Sequence, residues 1–528
     1  MTKGRCPTIR AVLSEIAREA GLRFGDRAVV VAADGVLTYE ELDRAADALA
    51  VQLSQRGVAR GDRVGLLLPS GGDWVVAAVA VSRLGAVFAG ISPTLSVPER
   101  ATLISLLGAR LTLTDPTLLD GLPLRAEIAV MKPGSRAIDS AALEPAAVEP
   151  AASALSSPAA DHVAADHVAA ENDAAVICFT SGTTGQPKAA VYCISQLRGI
   201  QSIDLGPGAE QRWGGGSPML ASTQFAHVGM STKLPWYLRL GNTLHVMPRW
   251  RAEDALQLVA QHRISTLGVV APQLALMLRS PLMDSLDLSC VTSIIAGGAA
   301  SAPSLVREAR ERFGAGYSIR YSSTESGGVG IATAFDSPEE DGLQTVGIAR
   351  PGVEVRIADE QDVPLQTGQV GELQLRSAAV MQHYWNDPSA THSALTADRW
   401  LRTGDLGSMD STGRVMLAGR RSEMYIRGGY NVFPSEVEAA LLEHPGVISA
   451  VVVPYPDEIL GELGLAMICV QDPERPPTLE ELREHGSHLI AKYKLPDMVV
   501  IAQSLPLTTA QKLDRAAAQT MAMKLLEA

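Results

Sequence analysis

The sequence predicts an α/β protein with a largely parallel sheet, divided into one large composite domain and a smaller domain attached to it. Helix-like stretches alternate with short β-branched runs along the chain, a pattern typical of parallel sheets crossed by helices. The chain has 528 residues, of which 46% are hydrophobic and 20% charged. That balance is globular, and the length exceeds what a single small domain needs.

The alternation begins near the amino terminus. A β-branched run at 28–31 precedes a turn and a helical stretch, in which Thr38 and Glu41 have the spacing of a capping box. A second apolar run at 64–68 precedes a helical stretch at 74–84. These segments predict the first strands and helices of the large domain.

Charge and cysteine content narrow the class of protein. The formal net charge is -13, which argues against a nucleic-acid partner because phosphate contacts need a basic face. No signal peptide or membrane-spanning stretch is visible. The cysteines are odd in number and widely spaced: Cys6, Cys178, Cys193, Cys290 and Cys469. They predict a reduced, cytoplasmic protein without structural zinc.

A segment rich in Ala, Pro and Ser at 139–172 predicts a surface linker that is partly helical at most. It contains the local duplication DHVAADHVAA. Its two histidines, His162 and His167, do not share a helix face, so we interpret them as solvated side chains and not as metal ligands.

A glycine- and hydroxyl-rich run, FTSGTTGQPK at 179–188, follows an apolar, strand-like stretch. Glycines let backbone N–H groups approach an oxyanion, hydroxyls add neutral donors, and Lys188 supplies positive charge. The run therefore predicts a phosphate-binding loop, against the alternative of a plain solvent-exposed turn. It differs from a Walker P-loop, because Pro187 precedes the lysine and Ala189 follows it.

This run resembles the signature loop of the adenylate-forming superfamily, which includes acyl-CoA and aryl-CoA synthetases. The order of L-T-Y-E-E-L, G-D-R-V and G-A-V-F-A-G-I-S-P before it is also similar to acyl-CoA synthetases. The resemblance implies that one set of residues contacts ATP phosphates: Thr180, Ser181, Gly182, Thr183, Thr184 and Lys188. The family usually has glycine where this chain has Ala189.

Further motifs of the same family follow in order. The stretch QFAHVGM at 224–230 resembles F-H-x-x-G with a spacing shifted by one residue, and it implies His227 at the pocket for the acid. A lone histidine beside apolar residues is otherwise a core residue. The run IIAGGAA at 294–300 resembles the segment that contacts adenine, and it implies contacts from Gly297, Gly298 and Ala299.

The run YSSTE at 321–325 is similar to the family motif Y-G-x-T-E. The resemblance implies that Tyr321 stacks on adenine, that Thr324 contacts phosphate and that Glu325 holds Mg²⁺, with Ser322 and Ser323 lining the nucleotide site. A carboxylate is a suitable ligand for this hard cation. Ser322 replaces the usual glycine.

Two later motifs match family elements that bind ribose and connect the domains. In WLRTGDLG at 400–407 the resemblance assigns Asp405 to the ribose hydroxyls, a bidentate contact that suits a carboxylate. In GRRSEM at 419–424 it assigns Arg420 to the nucleotide and places Ser422 at a hinge where the family has Asp or Lys.

The carboxyl-terminal motifs imply a mobile domain that completes the site. The loop with Gly428, Gly429 and Tyr430 resembles the one that lines the pantetheine tunnel, although two glycines are also ordinary turn residues. The run PLTTAQKLDR at 506–515 resembles the family motif whose lysine, here Lys512, bridges the carboxylate and the α-phosphate. Gln511 replaces the usual glycine.

The resemblance covers essentially the whole chain and implies a specific architecture and reaction. We expect an N-terminal adenylate-forming domain with a β-barrel portion at 1–419 and a mobile α+β domain at 420–528. The implied enzyme is an ATP-dependent, AMP-forming acid–CoA ligase that uses Mg²⁺ and coenzyme A. Its partners would be small molecules, and the sequence leaves the acid, and the choice between monomer and homodimer, open.

The departures from the family pattern keep alternatives open. Ala189, Ser322 and Gln511 replace glycines, and Ser422 lies at the hinge. Added side chains could obstruct the nucleotide, so one alternative is an enzyme that performs only thioester formation on acyl-AMP made elsewhere. Others are a ligase that loads a carrier protein's phosphopantetheine and a non-enzymatic nucleotide sensor. The basic and acidic positions implied for catalysis are all present, which favours the complete ligase.

Overall fold

The structure is a computed structural model, and it describes residues 12–33, 35–122, 128–139, 171–180, 187–298, 301, 303–338, 341, 345–507 and 513–527. Some of the predicted site residues lie outside the described residues: Ser181, Gly182, Thr183, Thr184, Ala299, Gln511 and Lys512. Most of the predicted linker, including His162 and His167, also lies outside them.

The strands of the described residues are numbered in chain order. They are β1 (Ala28–Ala32), β2 (Gly35–Thr38), β3 (Arg63–Leu67), β4 (Val87–Gly90), β5 (Leu111–Thr114), β6 (Ile128–Val130), β7 (Ala174–Thr180), β8 (Lys188–Cys193), β9 (Pro218–Ala221), β10 (Thr243–Val246), β11 (Thr266–Val269), β12 (Ser293–Gly297), β13 (Gly316–Tyr321), β14 (Ile331–Ala332), β15 (Ile348–Ala349), β16 (Val353–Ala358), β17 (Gly371–Ser377), β18 (His383–Tyr384), β19 (Leu401–Met409), β20 (Val415–Arg420), β21 (Tyr425–Arg427), β22 (Tyr430–Val432), β23 (Val447–Asp457), β24 (Gly461–Val470) and β25 (Met498–Ile501).

The α-helices of the described residues are numbered in the same way. They are α1 (Val12–Phe24), α2 (Tyr39–Gln55), α3 (Gly72–Arg83), α4 (Val97–Leu107), α5 (Ile194–Leu205), α6 (Val228–Ser231), α7 (Leu234–Leu240), α8 (Ala252–His262), α9 (Ala271–Leu278), α10 (Pro303–Phe313), α11 (Pro388–Ala394), α12 (Pro434–Leu442), α13 (Leu479–Gly486) and α14 (Arg515–Glu527). None of these helices combines the length and the apolar character that crossing a membrane requires.

The chain divides into two compact units. Unit 1 comprises Met1–Ser265, Thr324–Gly328 and Ala378–Thr391, and unit 2 comprises Thr266–Ser323, Val329–Ser377 and His392–Ala528. This division differs from a single boundary after residue 419, which stays a prediction.

Unit 1 contains two sheets that are mostly parallel. The larger has the strand order β18-β8-β7-β4-β3-β5-β6 and is parallel from β7 to β6. The smaller has the order β2-β1-β10-β9, in which only β2 is antiparallel. Helix α3 is apolar over most of its length and buried from Trp74 to Val81, as expected for a helix enclosed by other elements.

The predicted capping box is confirmed. The Thr38 hydroxyl accepts from the Glu41 N–H at 3.2 Å, and the Thr38 N–H donates to the Glu41 carboxylate at 3.0 Å. The helix begins at Tyr39, because the residues before it pair with β1 as strand β2. The predicted first strands and α3 are confirmed within one or two residues of their expected ends.

Unit 2 contains a mixed five-stranded sheet, an antiparallel sheet and a carboxyl-terminal sheet. The antiparallel sheet has the order β16-β17-β19-β20. In the carboxyl-terminal sheet, alternate residues of β23 face opposite layers: Val452 packs in a cluster with α12 and α13, and Val451 in a cluster with α14. The predicted α/β class and the α+β character of the carboxyl-terminal part are confirmed.

Candidate active site

The glycine-rich run connects two antiparallel strands of unit 1. Strands β7 and β8 pair in a register that places Thr180 opposite Lys188, so the base of the run is closed by a strand pair. A P-loop instead connects a strand to a helix, and here helix α5 begins only at Ile194. The predicted exclusion of a P-loop is therefore confirmed.

Ala189 is a core residue. It is 1% exposed and packs in an apolar cluster with Ile177 and Val191. Its carbonyl accepts from the Trp385 N–H at 2.7 Å. The methyl group that replaces the family's glycine therefore contributes to the core of the sheet.

Three side chains from separate parts of unit 1 meet beside β8. The Lys188 ammonium lies 5.3 Å from the centre of the Tyr384 ring, a cation–π distance. The Tyr384 hydroxyl donates to Oε1 of Glu325 at 2.8 Å. The structure thus brings the predicted residues Lys188 and Glu325 together through a tyrosine.

Main-chain bonds hold the members of this cluster in place. Strand β18 pairs with β8, which sets Tyr384 opposite Ala190. The Met381 N–H donates to the Glu325 carbonyl at 2.8 Å, and the buried Tyr192 hydroxyl donates to the Thr324 carbonyl. Burial, and then the charge of Glu325, raises the pKa of Tyr384 well above its usual value, so the phenol stays a proton donor to that carboxylate.

His227 lies at the amino end of the short helix α6. Its carbonyl accepts from the N–H groups of Met230 and Ser231, both at 3.0 Å. The residue before it, Ala226, lies so close to Gly90 that a Cβ at Gly90 would be 2.5 Å from the Ala226 Cα. This contact fixes the backbone that carries His227 against the end of strand β4.

A second group of predicted residues meets in unit 2. The Tyr321 hydroxyl donates to one carboxylate oxygen of Asp405, and the Arg420 guanidinium contacts the other at 3.2 Å. Asp405 and Arg420 are opposite each other on β19 and β20. Burial, and then the charge of Asp405, raises the pKa of Tyr321. Asp405 therefore contacts both Tyr321 and Arg420, the other two residues of this group that are predicted to bind the nucleotide.

The turn that presents Asp405 is held by its neighbours. The Asp405 N–H donates to the Thr403 hydroxyl at 3.1 Å, and the Gly404 N–H donates to Glu372 at 3.1 Å. The Arg421 N–H donates to the Gly404 carbonyl at 3.0 Å. These bonds pre-orient the carboxylate, which has a side-chain exposure of 15%.

The predicted adenine segment ends strand β12. A Cβ at Gly297 would lie 2.9 Å from the Arg320 carbonyl oxygen, so the neighbouring strand requires glycine there. Gly298 has a φ of +78°. Ser322 and Ser323 follow β13 without a positive φ. Serine at 322 therefore carries none of the backbone strain that replacement of a left-handed glycine would cause.

Gly428 and Gly429 form the two-residue turn of the hairpin β21–β22. Their φ values of +57° and +86° are both positive, which is the requirement of a type I′ turn. Tyr430 is 57% exposed and stacks on Tyr493 with ring centres 4.5 Å apart. Turn geometry thus accounts for the glycines, and their contact with coenzyme A stays a prediction.

The residues that flank Lys512 are held together. Leu507 and Leu513 form an antiparallel bridge, and the Asp514 N–H donates to the Pro506 carbonyl at 2.9 Å. The Arg515 guanidinium binds Glu438 at 2.6 Å and Glu423 at 2.8 Å. Arg515 therefore ties α14 both to α12 and to the segment that follows Ser422.

Sequence reasoning did not assign roles to several residues of these groups: Tyr192, Tyr384, Glu423, Glu438 and Arg515. The run Tyr384-Trp385-Asn386, with two adjacent aromatic residues, was the local signal available for Tyr384. Tyr192 is one of several aromatic or apolar residues in β8, and its sequence context gives no sign of its bond to Thr324.

Two family models match this chain. A family model described as AMP-binding enzyme matches residues 17–385, and one described as AMP-binding enzyme C-terminal domain matches residues 436–512.

Named relatives match most of the chain. The chain is 30% identical to an indoleacetate–CoA ligase of Aromatoleum aromaticum, over 95% of the chain and 96% of the relative. It is 29% identical to 4-coumarate–CoA ligase 5 of Oryza sativa subsp. japonica, over 93% and 90%. The amide bond synthetase McbA of Marinactinospora thermotolerans superposes with a TM-score of 0.79 at 27% identity, over 96% of this chain and 99% of McbA. This chain therefore belongs to the AMP-binding enzyme family, in its acyl- and aryl-CoA synthetase branch.

Proposed function

We propose that this enzyme activates a carboxylic acid with ATP and transfers the acyl group to coenzyme A. The observation that carries the proposal is that Lys188 and Glu325 both contact Tyr384. They lie beside a glycine-rich run whose two ends pair as antiparallel strands. A cation and a carboxylate at one position are what a polyphosphate with a bound divalent cation requires.

In the first step, a carboxylate oxygen of the acid attacks the α-phosphorus of ATP, and pyrophosphate leaves. Lys188 would bind the phosphate oxygens and Lys512 would stabilise the charge that develops on the α-phosphate. Asp405 would accept both ribose hydroxyls, and Tyr321 would lie against adenine. The second step forms a thioester: the coenzyme A sulfur attacks the acyl carbon, AMP leaves, and the thiol proton is released.

Glu325 would hold Mg²⁺. A single protein carboxylate suits this ion, which keeps several waters and is otherwise bound through substrate phosphates. When bound, Mg²⁺ offsets the negative charge of the departing pyrophosphate. The hydrogen bond from Tyr384 fixes the direction of the Glu325 carboxylate.

The positions of two departures support the complete ligase over the alternative that only forms thioesters. The Ala189 side chain lies in the core, and Ser322 has no positive φ. Neither substitution therefore gives a physical reason for lost adenylation. The cytoplasmic location is a further proposal, drawn from the number and spacing of the cysteines.

A two-arm assay of AMP release tests the proposal. One arm supplies Mg²⁺-ATP, coenzyme A and a panel of free acids; the other supplies synthetic acyl-adenylates and coenzyme A. Turnover of free acids supports the complete ligase. Turnover of acyl-adenylates alone would show that the enzyme performs only thioester formation. Activity with a carrier-protein thiol, and none with coenzyme A, would show that the acyl acceptor is a carrier protein.

The variant Lys512→Ala connects the assay to the proposed roles. We expect loss of at least about 100-fold in the ATP arm, because a preorganised charge at the transition state is removed, and little change in the acyl-adenylate arm. The matched control is Lys524→Ala, which removes an exposed lysine from α14. Equal losses in both arms would contradict the assignment of Lys512 to adenylation.

A further inference from the structure

A largely buried ion pair connects two helical elements of unit 1. The Lys233 ammonium donates to Asp204 at 2.7 Å, and the two side chains are only 16% and 14% exposed. Asp204 is near the end of α5, and Lys233 immediately precedes α7. Burial removes both charges from water, and apolar replacements of such pairs are often neutral or stabilising. Stability alone is therefore a weak reason for this pair.

The lysine lies against the segment Thr324–Gly328, which also carries Glu325. Gly328 has a φ of +69°, and a Cβ there would lie 3.7 Å from Cε of Lys233 and 3.8 Å from Cγ1 of Val228. Val228 begins α6, directly after His227. The Lys233 side chain therefore borders the residues that the sequence predicts for the acid pocket.

Helix α5 approaches the same segment. A Cβ at Gly327 would lie 2.8 Å from Cδ1 of Ile200, which is one helical turn before Asp204. Gly328 is three residues from Glu325, so the backbone between them spans at most about 10 Å. A small acid bound beside Glu325 can therefore reach Lys233 with its far end.

The Lys233 ammonium has hydrogen-bonding capacity for a ligand. A lysine ammonium carries three donors. Among the described residues, Asp204 is the one hydrogen-bond acceptor that contacts it. The other donors of this ammonium therefore remain available for a ligand.

We propose that Lys233 is a specificity-determining residue that donates a hydrogen bond to an uncharged acceptor, such as a hydroxyl, ether or carbonyl oxygen, at the far end of the acid. This inference rests on the proposed function. A second carboxylate on the acid is disfavoured, because Asp204 already neutralises Lys233 and the negative charge of Asp204 would repel a further anion. An unbranched alkyl end would leave a buried donor without an acceptor.

Binding of acyl-sulfamoyl adenosines, stable mimics of acyl-AMP, tests the inference without turnover. The probes are the 4-hydroxybenzoyl and benzoyl pair and the longer 4-hydroxyphenylpropanoyl and phenylpropanoyl pair. For at least one length we expect the hydroxyl probe to bind about 10-fold or more tightly, as for a hydrogen bond to a charged donor. The variant Lys233→Met should reduce that preference to within about 2-fold.

A second variant separates loss of the ligand preference from misfolding. Lys233→Met leaves Asp204 buried and uncompensated, so the double variant Asp204→Leu with Lys233→Met removes both charges together. Lys132→Met, which removes a lysine with 64% side-chain exposure, is the matched control. We expect the double variant to lose the preference and the control to keep it.

The outcomes separate this inference from the proposed function. Equal affinities within both probe pairs for the wild type, or a preference that persists in the double variant, would overturn the role of Lys233 alone. If no acyl-sulfamoyl adenosine binds, the proposed function fails and the inference fails with it. Tighter binding of a terminal carboxylate probe, succinyl-sulfamoyl adenosine, would overturn the choice of an uncharged acceptor.

Discussion

The Tyr384 hydroxyl donates to Oε1 of Glu325 at 2.8 Å, while the ring of the same tyrosine lies 5.3 Å from the Lys188 ammonium. One side chain thus orients the proposed ligand of Mg²⁺ and supports the proposed phosphate-binding lysine. The two contacts use different parts of the tyrosine, the hydroxyl and the ring, so they can be removed separately.

The substitution Tyr384→Phe removes the hydroxyl and keeps the ring. We expect kcat/KM for adenylation, measured by acid-dependent ATP–pyrophosphate exchange, to fall about 10- to 100-fold, because a hydrogen bond to a charged group is lost. Thioester formation from a synthetic acyl-adenylate should change little. Tyr384→Leu removes both contacts, so its exchange activity should fall further than that of Tyr384→Phe. An unchanged rate of exchange in Tyr384→Phe would contradict the role of the hydroxyl.

The substitution Asp405→Asn tests the ribose assignment. The amide is nearly isosteric, but it replaces one acceptor by a donor and removes the charge that faces Arg420. We expect KM for ATP to rise about 10- to 100-fold with a smaller change in kcat. A matched control is Asp410→Asn, in an exposed turn of the same sheet. An unchanged KM for ATP would rule out the ribose contact.

The substitution Gly429→Asn separates turn geometry from coenzyme A binding. Asparagine tolerates the positive φ of a type I′ turn, and no atom of the described residues lies within 4 Å of a Cβ at this position. If the glycine leaves room for coenzyme A, KM for coenzyme A should rise about 10-fold while the melting temperature is retained. If both quantities match the wild type, the glycines serve only the hairpin.

Because His245 is buried, we expect the protein to lose stability in mild acid. Burial, and then the charge of His262, lowers the pKa of His245 from its usual value of 6.5 to about 4. The unfolded chain binds this proton below about pH 6.5 and the folded chain does not, so stability is present above that pH and falls as the pH approaches 4. From this group we expect about 2 kcal/mol less unfolding free energy at pH 5 than at pH 7.5.

Urea unfolding of His245→Phe checks this expectation. In this variant the free energy of unfolding should differ less between pH 7.5 and pH 5, because the contribution of His245 is absent. This expectation holds whatever the stability of the variant at pH 7.5. The exposed His488, replaced by Gln, serves as the control and should leave the pH dependence unchanged. A difference in His245→Phe equal to that of the wild type would show that other groups cause the acid sensitivity.

Much of the fold and of the candidate site was predictable from local sequence. The Thr38–Glu41 capping box, the strand before the glycine-rich run and the residues of the Tyr321–Asp405–Arg420 group are encoded in short motifs with defined spacing. The pairing of strands was less accessible: where the sequence predicts only a turn before the helix, Gly35–Thr38 forms a strand that pairs with β1. Pairing partners distant in sequence leave no local signal.

By itself, the sequence determined the family, the α/β class and the types of residue available for phosphate, ribose and metal binding, because these depend on composition and on motif spacing. Only the tertiary structure decided that Ala189 belongs to the core and that Tyr384 joins Lys188 to Glu325. It also decided that Lys233 and Asp204 form a buried pair beside Gly328. Burial and contact depend on residues far apart in the chain that packing brings together, so neither can be read from a single motif.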